Sequence, residues 1–219
     1  MAAESPVSIV LSARKQRGAV RIELEDEPPL RIPAPLFRER PVRAGDELDV
    51  AAHIEWMRER GYPFALDAAV ACLAARPRTA REVDARLEQA GYDEAVRERV
   101  VARLTQEVYL NDAEFADRWA ASRGSRALGA RRIALKLQKK GVDRDIITSA
   151  LSQVDEEEQL RAAAAHAEKV LARTCGKDAR DVRRKAEAAL ARRGYDWDIA
   201  RDAVRNAMER AGTDEDSDA

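Results

Sequence analysis

The sequence predicts a mainly α-helical protein of tandem three-helix repeats in an elongated, curved array, preceded by a small N-terminal β-hairpin and helix. A glycine that ends one helical run and an aspartate that opens the next occur three times, as Gly91-Tyr92-Asp93, Gly141-Val142-Asp143 and Gly194-Tyr195-Asp196. Intervals of 50 and 53 residues are those of a supersecondary repeat. Composition agrees, because 36% charged and 5% aromatic residues favour helices with wide solvated faces over one large globule.

Residues 1–61 carry the predicted hairpin and helix. Two stretches, 20–24 and 30–32, alternate apolar with charged residues, and the segment Asp26-Glu27-Pro28-Pro29 between them is typical of a turn. After a second turn at 43–46, Asp49 is expected to cap a helix that Gly61 ends. The apolar run at 7–11 is too short for a secretory signal.

The repeats are predicted to occupy residues 62–108, 109–155 and 156–211, and 212–219 is predicted to be an acidic disordered tail. The first helices are expected over 65–75, 113–123 and 157–173. The second helix of each repeat runs to its glycine, and the third follows its aspartate. In the third helices, apolar residues fall five, nine, ten and thirteen positions after the glycine, which places them on one face.

The recurring residues have backbone roles. Glycine adopts the left-handed conformation that commonly ends a helix, and aspartate at the next N-cap accepts a hydrogen bond from an unpaired amide, stabilising the helix by roughly 1 kcal/mol. Thr79 and Asp181 are predicted to cap the second helices of repeats one and three, and Gly129 to be a weaker cap in repeat two.

The sequence contains no motif of a common enzyme or cofactor site. Phosphate-binding loops, the HExxH zinc motif and the GxSxG nucleophile motif are missing. Cys72 and Cys175 are far apart, and only His53 and His166 supply imidazoles, which argues against a zinc site or a disulfide framework. We expect a cytoplasmic protein with no enzymatic activity, no cofactor, no metal and no membrane span.

Basic residues concentrate in repeat two although the formal net charge is −1. No carboxylate occurs between residues 118 and 140, and side chains three and four apart share a helix face. The alternative interpretation is an ordinary solvated helix face. The candidate partner-binding residues are Arg123, Arg126, Arg131, Arg132, Lys136, Lys139 and Lys140, with a second cluster of Arg183, Arg184 and Lys185 in repeat three.

Four segments together resemble the RecX regulators of the bacterial RecA recombinase. They are LAARPRTAREV at 73–83, YLNDAEFADRW at 109–119, GARRIALKL at 129–137 and LARRGY at 190–195. Their order and spacing agree across about residues 64–207. One departure is Val108, which stands where the family usually has a glycine before the Tyr-Leu-x-Asp segment.

The resemblance implies a bacterial, non-enzymatic regulator of homologous recombination, DNA repair and the SOS response. Such a protein binds in the groove of the RecA–DNA filament and restrains its ATPase, growth and strand exchange. We expect the partner to be the RecA filament, with single-stranded DNA contacted weakly or through the filament, and the chain to act as a monomer. The alternatives are a helical nucleic-acid-binding protein that acts without RecA and a helical protein–protein adaptor.

Overall fold

The computed structural model describes residues 7–122, 124–174 and 178–211, and within them the chain forms four strands and ten helices. The chain divides into two compact units, Met1–Asn111 and Asp112–Ala219. The first contains the sheet and repeat one, and the second contains repeats two and three. This mainly helical architecture with three-helix repeats confirms the predicted fold class. The predicted tail at 212–219 lies outside the described residues.

A four-stranded antiparallel sheet opens the first unit, and its strands lie in the order β3 (Leu30–Pro33), β2 (Ala19–Leu24), β1 (Val7–Gln16) and β4 (Glu47–Asp49). The predicted hairpin is confirmed as β2 (Ala19–Leu24) and β3 (Leu30–Pro33). Two strands were not predicted, namely β1 (Val7–Gln16) and β4 (Glu47–Asp49). Strand β1 departs from the usual alternation at its start, because Val7, Ile9 and Leu11 on its exposed face are apolar whereas the buried Ser8 is polar.

The inner face of the sheet forms the first core. Val20, Ile22 and Ile32 pack with Leu36 of the short helix α1 (Ala34–Glu39) and with Met57 of helix α2. The two strands of the hairpin would be marginal without such a cover. This helical cover supports the hairpin.

Helix α2 runs without interruption from Val50 to Ala75, so the predicted helix end at Gly61 is wrong. Asp49 caps it as predicted, accepting a hydrogen bond from the Ala52 amide at 2.9 Å. Gly61 is buried, and a β-carbon there would lie 3.7 Å from side-chain atoms of Leu36 and Tyr92. Glycine at this position does not end the helix, and a β-carbon would make only ordinary van der Waals contacts there. The helix predicted over 65–75 is the C-terminal part of α2.

Repeat one is completed by α3 (Ala80–Gln89) and α4 (Glu94–Gln106). Thr79 caps α3 as predicted and forms a reciprocal capping box with Glu82. Gly91 has φ +87°, and Asp93 accepts a hydrogen bond from the Ala95 amide at 3.0 Å. The predicted glycine and aspartate roles hold in this copy.

The second unit contains six helices among its described residues. They are α5 (Asp112–Ala120), α6 (Ala130–Lys139), α7 (Arg144–Ser152), α8 (Glu156–Ala172), α9 (Ala179–Arg192) and α10 (Trp197–Arg210). Ile133 and Leu137 of α6 belong to the core of repeat two. Alanines of α8 pack with Leu190, Val204 and Met208 in the core of repeat three. Each repeat therefore buries its own apolar stripe.

Two predicted caps in the second unit differ from the structure. Asp143 caps α7 as expected, but Asp196 stands at the N-cap of α10 without a side-chain bond to the backbone. The prediction for Asp181 is wrong, because α9 begins three residues earlier and Asp178 caps it, accepting from the Arg180 amide at 2.8 Å. A sequence with two aspartates three residues apart does not decide which one precedes the first helical turn.

Candidate functional site

Helix α6 carries most of the predicted basic residues. Its apolar face is buried through Ile133 and Leu137, and its solvent-facing side has no carboxylate. Arg131, Arg132, Lys136 and Lys139 are exposed, and Lys140 follows the last turn. Arg126 lies in the preceding loop. We call these six residues, Arg126, Arg131, Arg132, Lys136, Lys139 and Lys140, the basic surface.

Two aromatic rings on α5 hold two of these lysines. Phe115 and Trp119 are four residues apart and share one face of α5. The Lys136 ammonium lies 5.7 Å from the centre of the Trp119 ring, and the Lys140 ammonium lies 5.4 Å from the centre of the Phe115 ring. Each such contact stabilises by about 0.5–1 kcal/mol at exposed sites. The pairs help to fix where the two lysine charges stand.

Two arginines of the basic surface form ion pairs with repeat three. Arg126 lies 3.3 Å from Glu158, and the Arg131 Nε atom lies 2.7 Å from the Asp196 carboxylate. The Asp196 carboxylate is directed to Arg131 and forms no side-chain bond to the backbone of α10. Both pairs are exposed, so each contributes about 0–1 kcal/mol to stability.

The start of α6 touches the turn that follows α9. The Gly129 amide donates to the Arg193 carbonyl at 3.0 Å, and the Arg131 amide donates to the Gly194 carbonyl at 3.1 Å. These bonds satisfy amides that the first turn of a helix leaves unpaired. A β-carbon on Gly129 would lie 2.1 Å from the Tyr195 nitrogen. Glycine is thus required here by a backbone contact, a reason beyond the predicted weak cap.

Three cations of the basic surface differ from Arg126 and Arg131. In the part of the chain that the structure describes, no carboxylate lies within ion-pair distance of Arg132, Lys136 or Lys139. All three residues belong to helix α6, and Arg132 and Lys136 are about one turn apart. They form the part of the surface best suited to binding an external anion.

The second predicted cluster lies elsewhere in repeat three. Arg183, Arg184 and Lys185 are exposed near the start of α9, and Arg184 pairs with Asp181 at 2.9 Å. The end of α9 that touches α6 is about 14 Å further along the helix axis. The structure therefore does not bring the two clusters into one site. Arg123, the remaining candidate, lies outside the described residues.

One exposed residue beside the basic surface was missed from the sequence. Trp197, the first residue of α10, is 60% exposed and directly follows the Asp196 that pairs with Arg131. A signal was available, because the positions three residues after the other two repeat glycines carry Glu94 and Arg144. Because the other two repeats fold with a charged residue at this position, folding of the repeat does not require a tryptophan there.

The described residues offer no arrangement that would hold a metal ion through three or more His, Cys, Asp or Glu side chains. A cavity of about 410 Å³ lies in the second unit, and its lining includes Arg126, Glu158 and the buried Ser125 and Gln159. Arg126 and Glu158 pair with each other across it. Within the described chain, no helix combines the length and apolar character that crossing a membrane requires.

Three domain models of one known protein family match this chain. Models of the first, second and third three-helix domains of RecX match residues 65–104, 111–151 and 156–204. The chain belongs to the RecX family. These three matches coincide with the helices of repeats one, two and three, and the resemblance noted from the sequence is confirmed.

Similar proteins agree with this assignment. A protein named Regulatory protein RecX from Mycobacterium sp. (strain JLS) is 39% identical over 149 residues, which cover 64% of this chain and 78% of the relative. The protein of that name from Mycolicibacterium smegmatis is 39% identical over 137 residues, 60% of this chain and 73% of the relative.

The fold is shared with solved RecX structures. The crystal structure of RecX from Lactobacillus salivarius superposes with a TM-score of 0.64 at 24% identity, covering 68% of this chain and 97% of that one. A second crystal structure, of a regulatory protein RecX, gives a TM-score of 0.63 at 19% identity over 91% of this chain and 99% of the other.

Proposed function

We propose that this chain is a non-enzymatic regulator of the RecA recombinase in the bacterial cytoplasm. It binds in the groove of the RecA–single-stranded DNA filament and restrains ATP hydrolysis, filament growth and strand exchange. Membership of the RecX family supports the choice of partner. Residues 62–108, 109–155 and 156–211 act as three repeat domains behind an N-terminal domain at 1–61.

The observation that carries this proposal is the basic surface of α6. Arg132, Lys136 and Lys139 are exposed, lie on one helix and have no carboxylate within ion-pair distance among the described residues. A filament on DNA presents phosphates and acidic side chains, both of which attract such a surface. Arg126 and Arg131 are partly neutralised by Glu158 and Asp196, so we assign them a supporting role.

Reversal of the three unpaired charges tests the proposal. The variant Arg132→Glu, Lys136→Glu and Lys139→Glu should need at least about tenfold more protein to inhibit the ATPase of RecA on single-stranded DNA, because like charges then face the filament. The matched control changes Arg14, Lys15 and Arg38 of the first unit to glutamate. It alters the net charge equally and should inhibit like the parent protein.

Circular dichroism should give the same helical signal for the parent protein and both variants. Inhibition by the α6 variant at the parent concentration would contradict the placement of the interface. Titration of the parent protein into RecA, with and without DNA, distinguishes the proposal from the two alternatives, a nucleic-acid-binding protein that acts without RecA and a protein–protein adaptor. The measurements are ATP hydrolysis and co-sedimentation. Loss of every effect on RecA would contradict the proposal as a whole.

A further inference from the structure

The Trp197 indole is exposed to solvent. It is 60% exposed at the first position of α10, and no aromatic ring or cation lies against it in the described parts of the chain. Tryptophan is a large, amphipathic side chain that is mostly buried in folded proteins. Because Glu94 and Arg144 occupy the same position in the other repeats, packing within the repeat does not explain the indole.

Trp197 stands at the N-terminal end of the basic surface. Its neighbour Asp196 pairs with Arg131 at 2.7 Å, and the Arg131 amide donates to Gly194, three residues before the tryptophan. A β-carbon on Gly194 would lie 2.6 Å from the β-carbon of Arg132. The turn that positions the indole is thus in direct contact with the first turn of α6.

The local charge favours an anionic ligand. Two carboxylates flank the tryptophan, and both have cationic neighbours, Asp196 with Arg131 and Asp198 with Arg201 at 3.8 Å. Arg132 has no acidic neighbour in the described chain. An exposed indole therefore follows, by three residues, the Gly194 turn that contacts Arg132, a cation with no carboxylate within ion-pair distance in the described chain.

We propose that Trp197 is a stacking platform for a base of single-stranded nucleic acid, whose adjoining phosphates bind Arg132 and the rest of the basic surface. Proteins bind single strands by this combination, in which bases stack on aromatic side chains and a basic track holds the backbone. An apolar side chain of a protein partner could pack on the indole but would give the charge of Arg132 no partner. This contact belongs to the chain itself and does not require RecA, so it goes beyond the proposed function.

The test compares ligands with and without bases. Fluorescence anisotropy would measure binding of labelled dT, rU and abasic oligomers of equal length at low salt. The parent protein should bind the dT or rU oligomer about tenfold more tightly than the abasic one, because one stacked base contributes a factor of this order. The difference between dT and rU identifies the strand that the platform prefers.

Trp197→Ala should weaken binding of the base-containing oligomers by about tenfold and leave abasic binding unchanged, whereas Trp197→Phe should retain most of the affinity. Tyr109→Ala removes a similarly exposed aromatic ring from the first unit and should have no effect. Equal binding of dT, rU and abasic oligomers by the parent protein would overturn the proposal. So would an unchanged affinity of Trp197→Ala for both base-containing oligomers. Since RecA is absent from this assay, its outcome is independent of the RecA test.

Discussion

Val108 combines a β-branched side chain with a left-handed backbone. Its φ is +62°, and it follows α4 at the position where many helices place glycine. A β-carbon in this region costs about 1–2 kcal/mol. The conformation persists because the flanking amides are tied to α4, with Val108 donating to Thr105 and Leu110 donating to Leu104, both at 3.0 Å. The glycine that the family usually has here therefore has a backbone reason.

Val108→Gly is expected to raise the free energy of unfolding by about 0.5–1 kcal/mol, since relief of strain exceeds the entropy that glycine adds to the unfolded chain. Val70 is the matched control, because it is an exposed valine inside α2. Val70→Gly should lower the same quantity by a similar amount. Urea denaturation measures both, and destabilisation by Val108→Gly would show that the left-handed conformation carries no strain.

His53 gives the first unit a dependence on pH. The residue is fully buried, and neither ring nitrogen has a hydrogen-bond partner among the described residues. Burial, and then the charge of Arg40, lowers the pKa of His53 from 6.5 to about 4. The unfolded chain therefore binds more protons than the folded chain between these values. The contribution of the neutral His53 to the free energy of unfolding is fully present above pH 6.5 and is lost as the pH is lowered toward 4.

We expect the free energy of unfolding to decrease between pH 7.5 and pH 5, and His53→Leu to remove a large part of that decrease. His166 is the control, because it is less buried than His53 and burial lowers its pKa as well. His166→Leu should change the pH dependence less. If His53→Leu and the parent protein lose stability in parallel, the histidine is not protonated on unfolding in this range.

At the scale of elements, the start of α6 packs so closely against the turn after α9 that residue 129 has no room for a β-carbon. Gly129→Ala would place a β-carbon 2.1–2.2 Å from backbone atoms of Gly194 and Tyr195. Backbone cannot give way as a flexible side chain can, so we expect a loss of at least about 2 kcal/mol in the free energy of unfolding.

Gly124→Ala is the matched control, because a β-carbon there has no atom within 4 Å. It should change stability by less than about 0.5 kcal/mol. Thermal or urea unfolding followed by circular dichroism gives both values. Equal stability of the two variants would mean that Gly129 and Tyr195 are further apart in solution.

Local signals in the sequence predicted most helices but not every boundary. Periodicity and caps located the helices around Gly91, Gly141 and Gly194 because these signals act within one turn. Helix α2 continues through the buried Gly61, which lies close to Leu36 and Tyr92, two residues distant in sequence. Strand β1 likewise needed its pairing partners to be recognised. Contacts between residues distant in sequence accompany the two elements that local sequence patterns did not predict, namely the full length of α2 and strand β1.

At the scale of the whole molecule, charge is distributed unevenly. The formal net charge of −1 provides no long-range attraction to nucleic acid, so any electrostatic attraction must come from the basic surface. The sequence predicted which residues would be basic and exposed. It did not predict the pairs with Glu158, Asp196, Phe115 and Trp119, because those depend on how neighbouring helices pack.

This distribution predicts how binding to a single strand responds to salt. The slope of log affinity against log salt should decrease in magnitude by about 0.7 in Arg132→Gln, because one phosphate contact is lost. Arg205→Gln changes the net charge equally, but Arg205 is held by Asp202 at 3.0 Å on α10. Its slope should equal that of the parent protein. Equal reductions in both variants would indicate that net charge and not the basic surface governs binding.

The contact between Gly129 and the turn after α9 also limits how the repeats can be rearranged. Repeat one has Thr79 at the position of Gly129, and its side chain is needed to cap α3. A copy of repeat one placed before repeat three would bring that threonine against the Gly194 turn, where no β-carbon fits. The three copies therefore cannot be permuted, and anyone lengthening this array by duplication would have to copy repeats two and three as a linked pair.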